Sequence, residues 1–148
     1  EVLHVKYYMR YMDDIIILMD SKEKLHKLRK QIEVYFETNM RITVKDNWQV
    51  FPTFKRGVDY LGYRSFLNFT LLRKSTCQSF KRKMLGIRKK AVSGIPLNQN
   101  DFCSVYSYSG WLKACDSFRL NQKYLEPLKP ALQEYFTRIN MERMILSG

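Results

Sequence analysis

Residues 5–11 alternate, with Val5, Tyr7, Met9 and Tyr11 on one side and Lys6, Tyr8 and Arg10 on the other. A period of two predicts a half-buried strand. Ile15 to Met19 is a continuous apolar run rich in β-branched residues, which predicts a more deeply buried strand. Asp13 and Asp14 fall between the two, where a tight hairpin turn would sit, and aspartate favours turns because its carboxylate bonds the local backbone. Asp20 then reads as a helix N-cap with Glu23 as its capping-box partner. Leu25, Leu28, Ile32, Tyr35 and Phe36 follow at helical spacing, to about Asn39.

Further along, Arg41 to Val44 reads as a short strand. "KDNW" turns, and "QVFPT" is a second short extended piece that Pro52 places at an edge or end. Tyr60 to Phe66 and Phe69 to Leu72 read as two strands joined through Leu67 and Asn68. Gly57 and Gly62 invite a turn and a close approach of backbone. After Ser75 or Thr76 as a cap, Phe80, Met84, Ile87 and Ala91 mark one face of a basic amphipathic helix. "SGIPLNQN" is a loop, and a second helix is expected from Asp101 to about Cys115, with Phe102, Val105, Tyr106 and Leu112. Pro127 and Pro130 break or start the next helix, whose apolar face is Leu132, Tyr135, Phe136 and Ile139. The expected fold class is therefore α+β: a βαβ-like half, 1–74, and an all-helical half, 75–148, dividing near Arg73 to Thr76. Neither an internal repeat nor a low-complexity tract interrupts this plan.

Composition sets outer limits on this picture. At 148 residues and 45% hydrophobic the chain has the material for about one domain and its core. No run of eighteen or more apolar residues occurs, so no transmembrane helix is expected, and the start lacks the layout of a signal peptide. It also lacks an initiator methionine, from which an excised part of a longer protein is expected. Cys77, Cys103 and Cys115 are odd in number and show no CxxC spacing, which argues against a disulfide framework or zinc site and for buried free thiols in a reducing cytoplasm.

Charge changes the picture more. The net charge is +12, and no acidic residue occurs from Tyr60 to Asn100. The same stretch holds Arg64, Arg73, Lys74, Lys81, Arg82, Lys83, Arg88, Lys89 and Lys90. A solvated helix face would account for some of these, but clustering this pure marks contacts to a polyanion. Against that background two adjacent carboxylates in an apolar run are anomalous. Burying an ionised carboxylate costs on the order of several kcal/mol unless it is paired. Either the pair sits in an exposed plain turn, or a cation sits between the two. Hard ions such as Mg²⁺ or Mn²⁺ take oxygen ligands, using one or two carboxylates plus substrate phosphates. Two such ions roughly 4 Å apart stabilise both the attacking and the leaving oxygen of a phosphoryl transfer.

The string Tyr11-Met12-Asp13-Asp14 between two apolar strands resembles the catalytic palm hairpin of reverse transcriptases. The following segments agree in order. "RITVKDN" resembles the next palm segment, "GVDYLGYRSF" the primer-grip hairpin, and "YSYSGWLKACDSF" the thumb of bacterial reverse transcriptases, above all those of diversity-generating retroelements, or of group II introns. The resemblance runs from about Val5 to Leu120, and residues 121–148 match no motif. It implies a partial palm followed by a helical thumb, RNA-directed DNA synthesis with Mg²⁺ or Mn²⁺, and a bacterial cytoplasmic location. The implied partners are an RNA template, a DNA primer and, for the diversity-generating type, a small basic accessory protein; no membrane is implied. Asp13 would be the main metal ligand and Asp14 the second carboxylate, while Lys45 would approach the leaving pyrophosphate. Tyr11 and Met12 would lie against the primer end and nascent base pair, and Tyr60, Leu61, Gly62 and Tyr63 would hold the primer. Lys81, Arg82, Lys83, Arg88, Lys89 and Lys90 would follow the template–primer backbone, reading shape and phosphate.

One departure matters. The family completes its metal site with an aspartate on an earlier strand, and its nucleotide-binding residues also come earlier, whereas Glu1 is the only acid before Asp13 here. The fragment alone is therefore expected to be inactive. Two other readings compete: an RNA-templated RNA polymerase, which Met12 disfavours because a glycine usually stands there, and a non-catalytic nucleic-acid-binding module. The second has no use for two acids facing a polyanion. His4 and His26 read as surface residues, and Trp48 and Trp111 as packing anchors ahead of base-stacking platforms. Lys45 reads equally as a surface lysine at a strand end.

Overall fold

The computed structural model describes Leu3 and residues 5–146, with side chains as far as Met141; His4 lies outside the described residues. The chain is mixed α+β, with one two-stranded and one three-stranded antiparallel sheet. It forms two compact units, Glu1–Pro52 and Thr53–Gly148. No helix among the described residues is long and apolar enough to cross a membrane.

In the first unit, β1 (Tyr7–Tyr11) and β2 (Asp14–Leu18) pair in a register that sets Tyr7 opposite Leu18 and Tyr11 opposite Asp14. Only Met12 and Asp13 are left to make the turn. Met12 takes a left-handed φ of 53°, as the first central residue of a two-residue hairpin does when its turn must match strand twist. Both strands are far more exposed than their apolar content suggests. Tyr7, Tyr8, Met9 and Tyr11 are all exposed, and in β2 only Ile16 and Ile17 are half-buried. An apolar run buries only when a second layer covers it, and this sheet has two strands alone.

Helix α1 (Lys22–Tyr35) begins one residue later than the sequence suggests. Ser21 is the cap, accepting from the backbone N–H of Lys24 at 3.4 Å and donating to the Glu23 carboxylate, while Asp20 pairs with Lys24 at 3.1 Å. A π-helical turn, Phe36–Met40, carries the helix to Arg41, which is left-handed at φ 54°. That reversal ends the helix where a strand from Arg41 to Val44 was expected, and with no third strand in the sheet the segment forms none. "QVFPT" likewise forms no strand. Trp48 folds back on α1, with its ring edge-on to His26 at 5.8 Å and the Arg29 guanidinium 3.9 Å from its centre. Arg29 in turn pairs with Glu33. Trp48 is thus a packing anchor.

The second unit starts with the short helix α2 (Thr53–Arg56) and the sheet β3 (Val58–Tyr60), β4 (Tyr63–Ser65) and β5 (Thr70–Leu72), in that order. The single strand expected over Tyr60 to Phe66 is in fact a hairpin. Leu61 (φ 47°) and Gly62 (φ 84°) both adopt positive φ and set Tyr60 opposite Tyr63, the pattern of a type I′ turn. Helix α3 (Lys74–Val92) follows, capped by Arg73 rather than by Ser75 or Thr76. It ends in a Schellman motif on Gly94 (φ 69°), with the Ile95 N–H donating to the Lys90 carbonyl at 3.0 Å and the Gly94 N–H to Ala91 at 3.1 Å. Helix α4 (Gln99–Lys113) opens with a capping box between Asn98 and Asp101. After α5 (Phe118–Leu120), a π-helical turn (Asn121–Leu125) and a 3₁₀ turn (Glu126–Leu128) lead into α6 (Lys129–Leu146). Phe80, Met84 and Ile87 of α3 meet Val105 and Leu112 of α4, together with Leu128, in the core.

The division at Pro52 differs from the one expected near Arg73 to Thr76, because the three-stranded sheet is fastened to α4. Asp116 donates its backbone N–H to the Thr70 carbonyl at 2.8 Å and accepts the Thr70 N–H on its carboxylate at 2.9 Å. It thereby pairs with β5 as a neighbouring strand would. The cysteines are free, but Cys103 is exposed rather than buried, and Cys77 and Cys115 are half-buried. Burial pushes the Cys115 thiol above its ordinary value.

Candidate functional site

The Met12–Asp13 turn is braced by Arg10, whose Nε donates to the Met12 carbonyl at 2.9 Å. Asp13 is the second turn residue, and Asp14 is already the first residue of β2. Opposed residues of an antiparallel pair share a face, so Asp14 stands on the face of Tyr11, its partner in the register. Met12 is 73% exposed, and Asp13 and Asp14 are exposed. Neither aspartate side chain has an ion pair or hydrogen bond among the described residues. Two hard oxygen donors with free lone pairs on a short hairpin fit a divalent cation bound through few protein ligands. No third histidine, cysteine, aspartate or glutamate joins them among the described residues. Lys45 lies on the exposed segment after α1, and no ion pair joins it to either aspartate among the described residues.

On the β3–β4 hairpin the four expected primer residues divide. Leu61 is exposed at the tip and Tyr60 half-buried beside it. Gly62 and Tyr63 instead face Trp111. The Tyr63 ring stacks on the indole at 5.4 Å, and its hydroxyl donates to the Trp111 carbonyl at 3.1 Å. Burial raises the Tyr63 phenol above its ordinary value. These bonds occupy Tyr63 in joining β4 to α4, so Tyr60 and Leu61 are the part of this hairpin open to a ligand. Trp111 is the partner that explains the close approach expected at Gly62.

Sequence reasoning passed over Asp59, whose carboxylate accepts from Arg64 at 2.6 Å and lies 3.5 Å from Arg73. Asp59 thus takes up two of the cations in the acid-free stretch. The Arg64 hydrogen bond, with the charges of Arg64 and Arg73, holds its carboxyl below the usual value of 3.8. The folded value lies below the unfolded one, so this contribution to stability is complete above that pH and is lost as the pH falls through the folded value. Asp59→Asn is expected to be less stable than the natural chain at about pH 6, and the gap is expected to narrow as the pH falls below 3.8. Urea titrations from neutral into acid check this, and a gap that does not narrow rules it out.

Along α3, Arg82, Lys83, Arg88 and Lys89 are exposed and Lys81 is half-buried. Lys90 differs from them. Its ammonium lies 3.0 Å from both carboxylate oxygens of Asp101, which is only 2% exposed. Lys90 therefore ties α3 to α4, and its charge is neutralised inside the unit. The outer face also carries Leu85 and Val92, which with Arg88 and Lys89 line a shallow pocket of about 300 Å³. In comparisons with known proteins, no family model and no curated protein matches the chain.

Proposed function

We propose that this chain is the palm–thumb part of a reverse transcriptase, which adds deoxynucleotides to a primer 3′-hydroxyl on an RNA template. The observation that carries the reading is the Tyr11–Asp14 hairpin, which presents Asp13 in its two-residue turn and Asp14 at the start of β2, both exposed and unpaired among the described residues. Asp13 and Asp14 would hold Mg²⁺ or Mn²⁺, which when bound supplies charge stabilisation for phosphoryl transfer. Arg10 keeps the turn in shape, and Tyr11 and Met12 offer apolar surface beside the carboxylates for a primer end. The exposed cations of α3 supply a sequence-independent surface for the template–primer backbone. In this reading the first unit belongs to the palm and α3 to α6 form the thumb, with Tyr60 and Leu61 at the primer.

The resemblance calls for a further aspartate, and none lies beside Asp13 among the described residues. The test therefore uses a protein that carries this chain together with that aspartate. Primer extension on an RNA template with Mg²⁺ is expected, and Asp13→Asn is expected to abolish it. A protein inactive on RNA and DNA templates alike that still binds duplex in a salt-sensitive way would instead be a binding module.

The thumb assignment has its own check. For duplex DNA, Lys89→Ala is expected to lower the slope of log affinity against log salt by about 0.9, the contribution of one phosphate contact. Lys90→Ala is expected to leave that slope unchanged and to destabilise the unit by about 2 kcal/mol, because it strands the buried Asp101 charge. Equal slopes for the two variants would show that the basic face does not bind as assigned.

A further inference from the structure

The two hairpins of this chain turn in different ways. In β3–β4 both central residues, Leu61 and Gly62, have positive φ, whereas in β1–β2 only Met12 does. Positive φ at both positions is the type I′ pattern, and at the first alone the type II′ pattern. The two types differ in the direction of the central peptide, whose carbonyl belongs to the first turn residue. Type II′ favours glycine at that position, because a side chain there is strained. This chain has a methionine there, so the conformation persists only if groups outside the turn hold it.

The Met12 carbonyl, the group whose direction separates the two turns, accepts the Nε–H of Arg10 at 2.9 Å. The β3–β4 hairpin has no counterpart. Asp59 stands at the equivalent place, one residue before the end of its strand, and its carboxylate pairs with Arg64 and Arg73. Arg10 is also the only cation within three residues of Asp13 in the sequence. It forms no ion pair with Asp13 or Asp14 among the described residues. Its guanidinium is directed at the backbone, and both carboxylates stay open to a cation. Arg10 opposes Ile15 in the register, so it stands on the sheet face away from Tyr11 and Asp14. Arg10 is exposed, and there a charged, directional donor competes with water better than a neutral one. We propose that Arg10 is a positioning residue: by holding the Met12–Asp13 peptide in its type II′ direction, it fixes where Asp13 presents its carboxylate. This role rests on the reading of Asp13 as a metal ligand, and Arg10 acts on that site only through the turn.

Arg10→Lys keeps the charge and removes the directed Nε–H, while Met12→Gly removes the strain. The first readout is proton NMR of the 148-residue chain. Positive φ gives Met12 a strong Overhauser effect between its own amide and Hα protons, and this signal is expected to weaken in Arg10→Lys. The second readout is primer extension against Mg²⁺ concentration, in the protein that supplies the further aspartate. With Met12 present, Arg10→Lys is expected to raise the Mg²⁺ needed for half-maximal rate about fivefold. In the Met12→Gly background the same substitution is expected to shift it by less than about twofold, because glycine holds the turn unaided. An equal shift in both backgrounds would make Arg10 a direct contact to nucleic acid and overturn the proposal. An unchanged Met12 signal in Arg10→Lys would overturn it as well. The NMR readout needs no polymerisation. A protein that extends no primer therefore counts against the polymerase reading, and the Met12 signal still decides whether Arg10 holds the turn.

Discussion

Gly62→Ala is expected to destabilise the Thr53–Gly148 unit by about 3 kcal/mol, read as a lower urea midpoint. Two effects add. A Cβ on Gly62 would lie 2.2 Å from Cζ3 and 2.6 Å from Cη2 of Trp111, well inside any real contact. The indole is not a flexible tip that can swing away, since Tyr63 stacks on it and bonds the Trp111 carbonyl. Gly62 also sits at φ 84°, where a residue with a Cβ is strained. Relief would require the β3–β4 turn to move, and the Gly62 carbonyl accepts from the Arg73 N–H at 2.8 Å at the start of α3. Gly86 in the middle of α3 is the control, since a Cβ there meets nothing within 4 Å. Gly86→Ala is expected to stabilise by about 0.5–1 kcal/mol through helix propensity. Similar midpoints for the two variants would mean that the Trp111 contact does not constrain the hairpin.

Asp13→Asn is expected to reduce primer extension by at least about a thousandfold in the protein that supplies the further aspartate, a change of roughly 4 kcal/mol in barrier. Asparagine keeps the size and turn preference of aspartate and removes the charge, so the loss would report a missing metal ligand rather than a misfolded hairpin. The exposure of Asp13 supports that separation, because a solvent-facing residue without side-chain bonds has little effect on stability. Thermal unfolding of the variant is therefore expected to match that of the natural chain. On the proposed reading, in which Asp14 is the second carboxylate, Asp14→Asn is expected to have the smaller effect. An active Asp13→Asn protein would remove Asp13 from the metal site, and a destabilised one would recast the carboxylate as a turn-forming group.

Where a residue's role depends on near neighbours, the sequence was sufficient. The alternation before Asp13, the helical spacing from Leu25 to Phe36 and the Phe80–Met84–Ile87 face all describe elements that form because adjacent residues favour them. The hairpin itself belongs to the same class, although the turn falls on Met12 and Asp13 and leaves Asp14 as the first residue of β2 rather than in the gap between the strands. Capping shifted by one residue at Ser21 and further at Arg73, because cap choice rests on small differences among neighbouring side chains.

What the sequence could not decide were matters of partnership. Strand burial in β1 and β2 depends on a covering layer, which no local pattern encodes. The strand expected over Arg41 to Val44 lacked a partner to pair with, and Arg41 reversed the chain instead. Between Tyr60 and Asn100 the sequence shows nine cations and no acids, yet Asp59 and Asp101 lie just outside that window and fold back to neutralise Arg64 and Lys90. Trp111 is 49 residues from Gly62 in the chain and touches it in space, which made a glycine chosen for a turn into one required for packing. Propensity acts over a few residues and is written in order along the chain. Ion pairs, ring stacks and grooves join distant segments, and only the tertiary structure decides which of them meet.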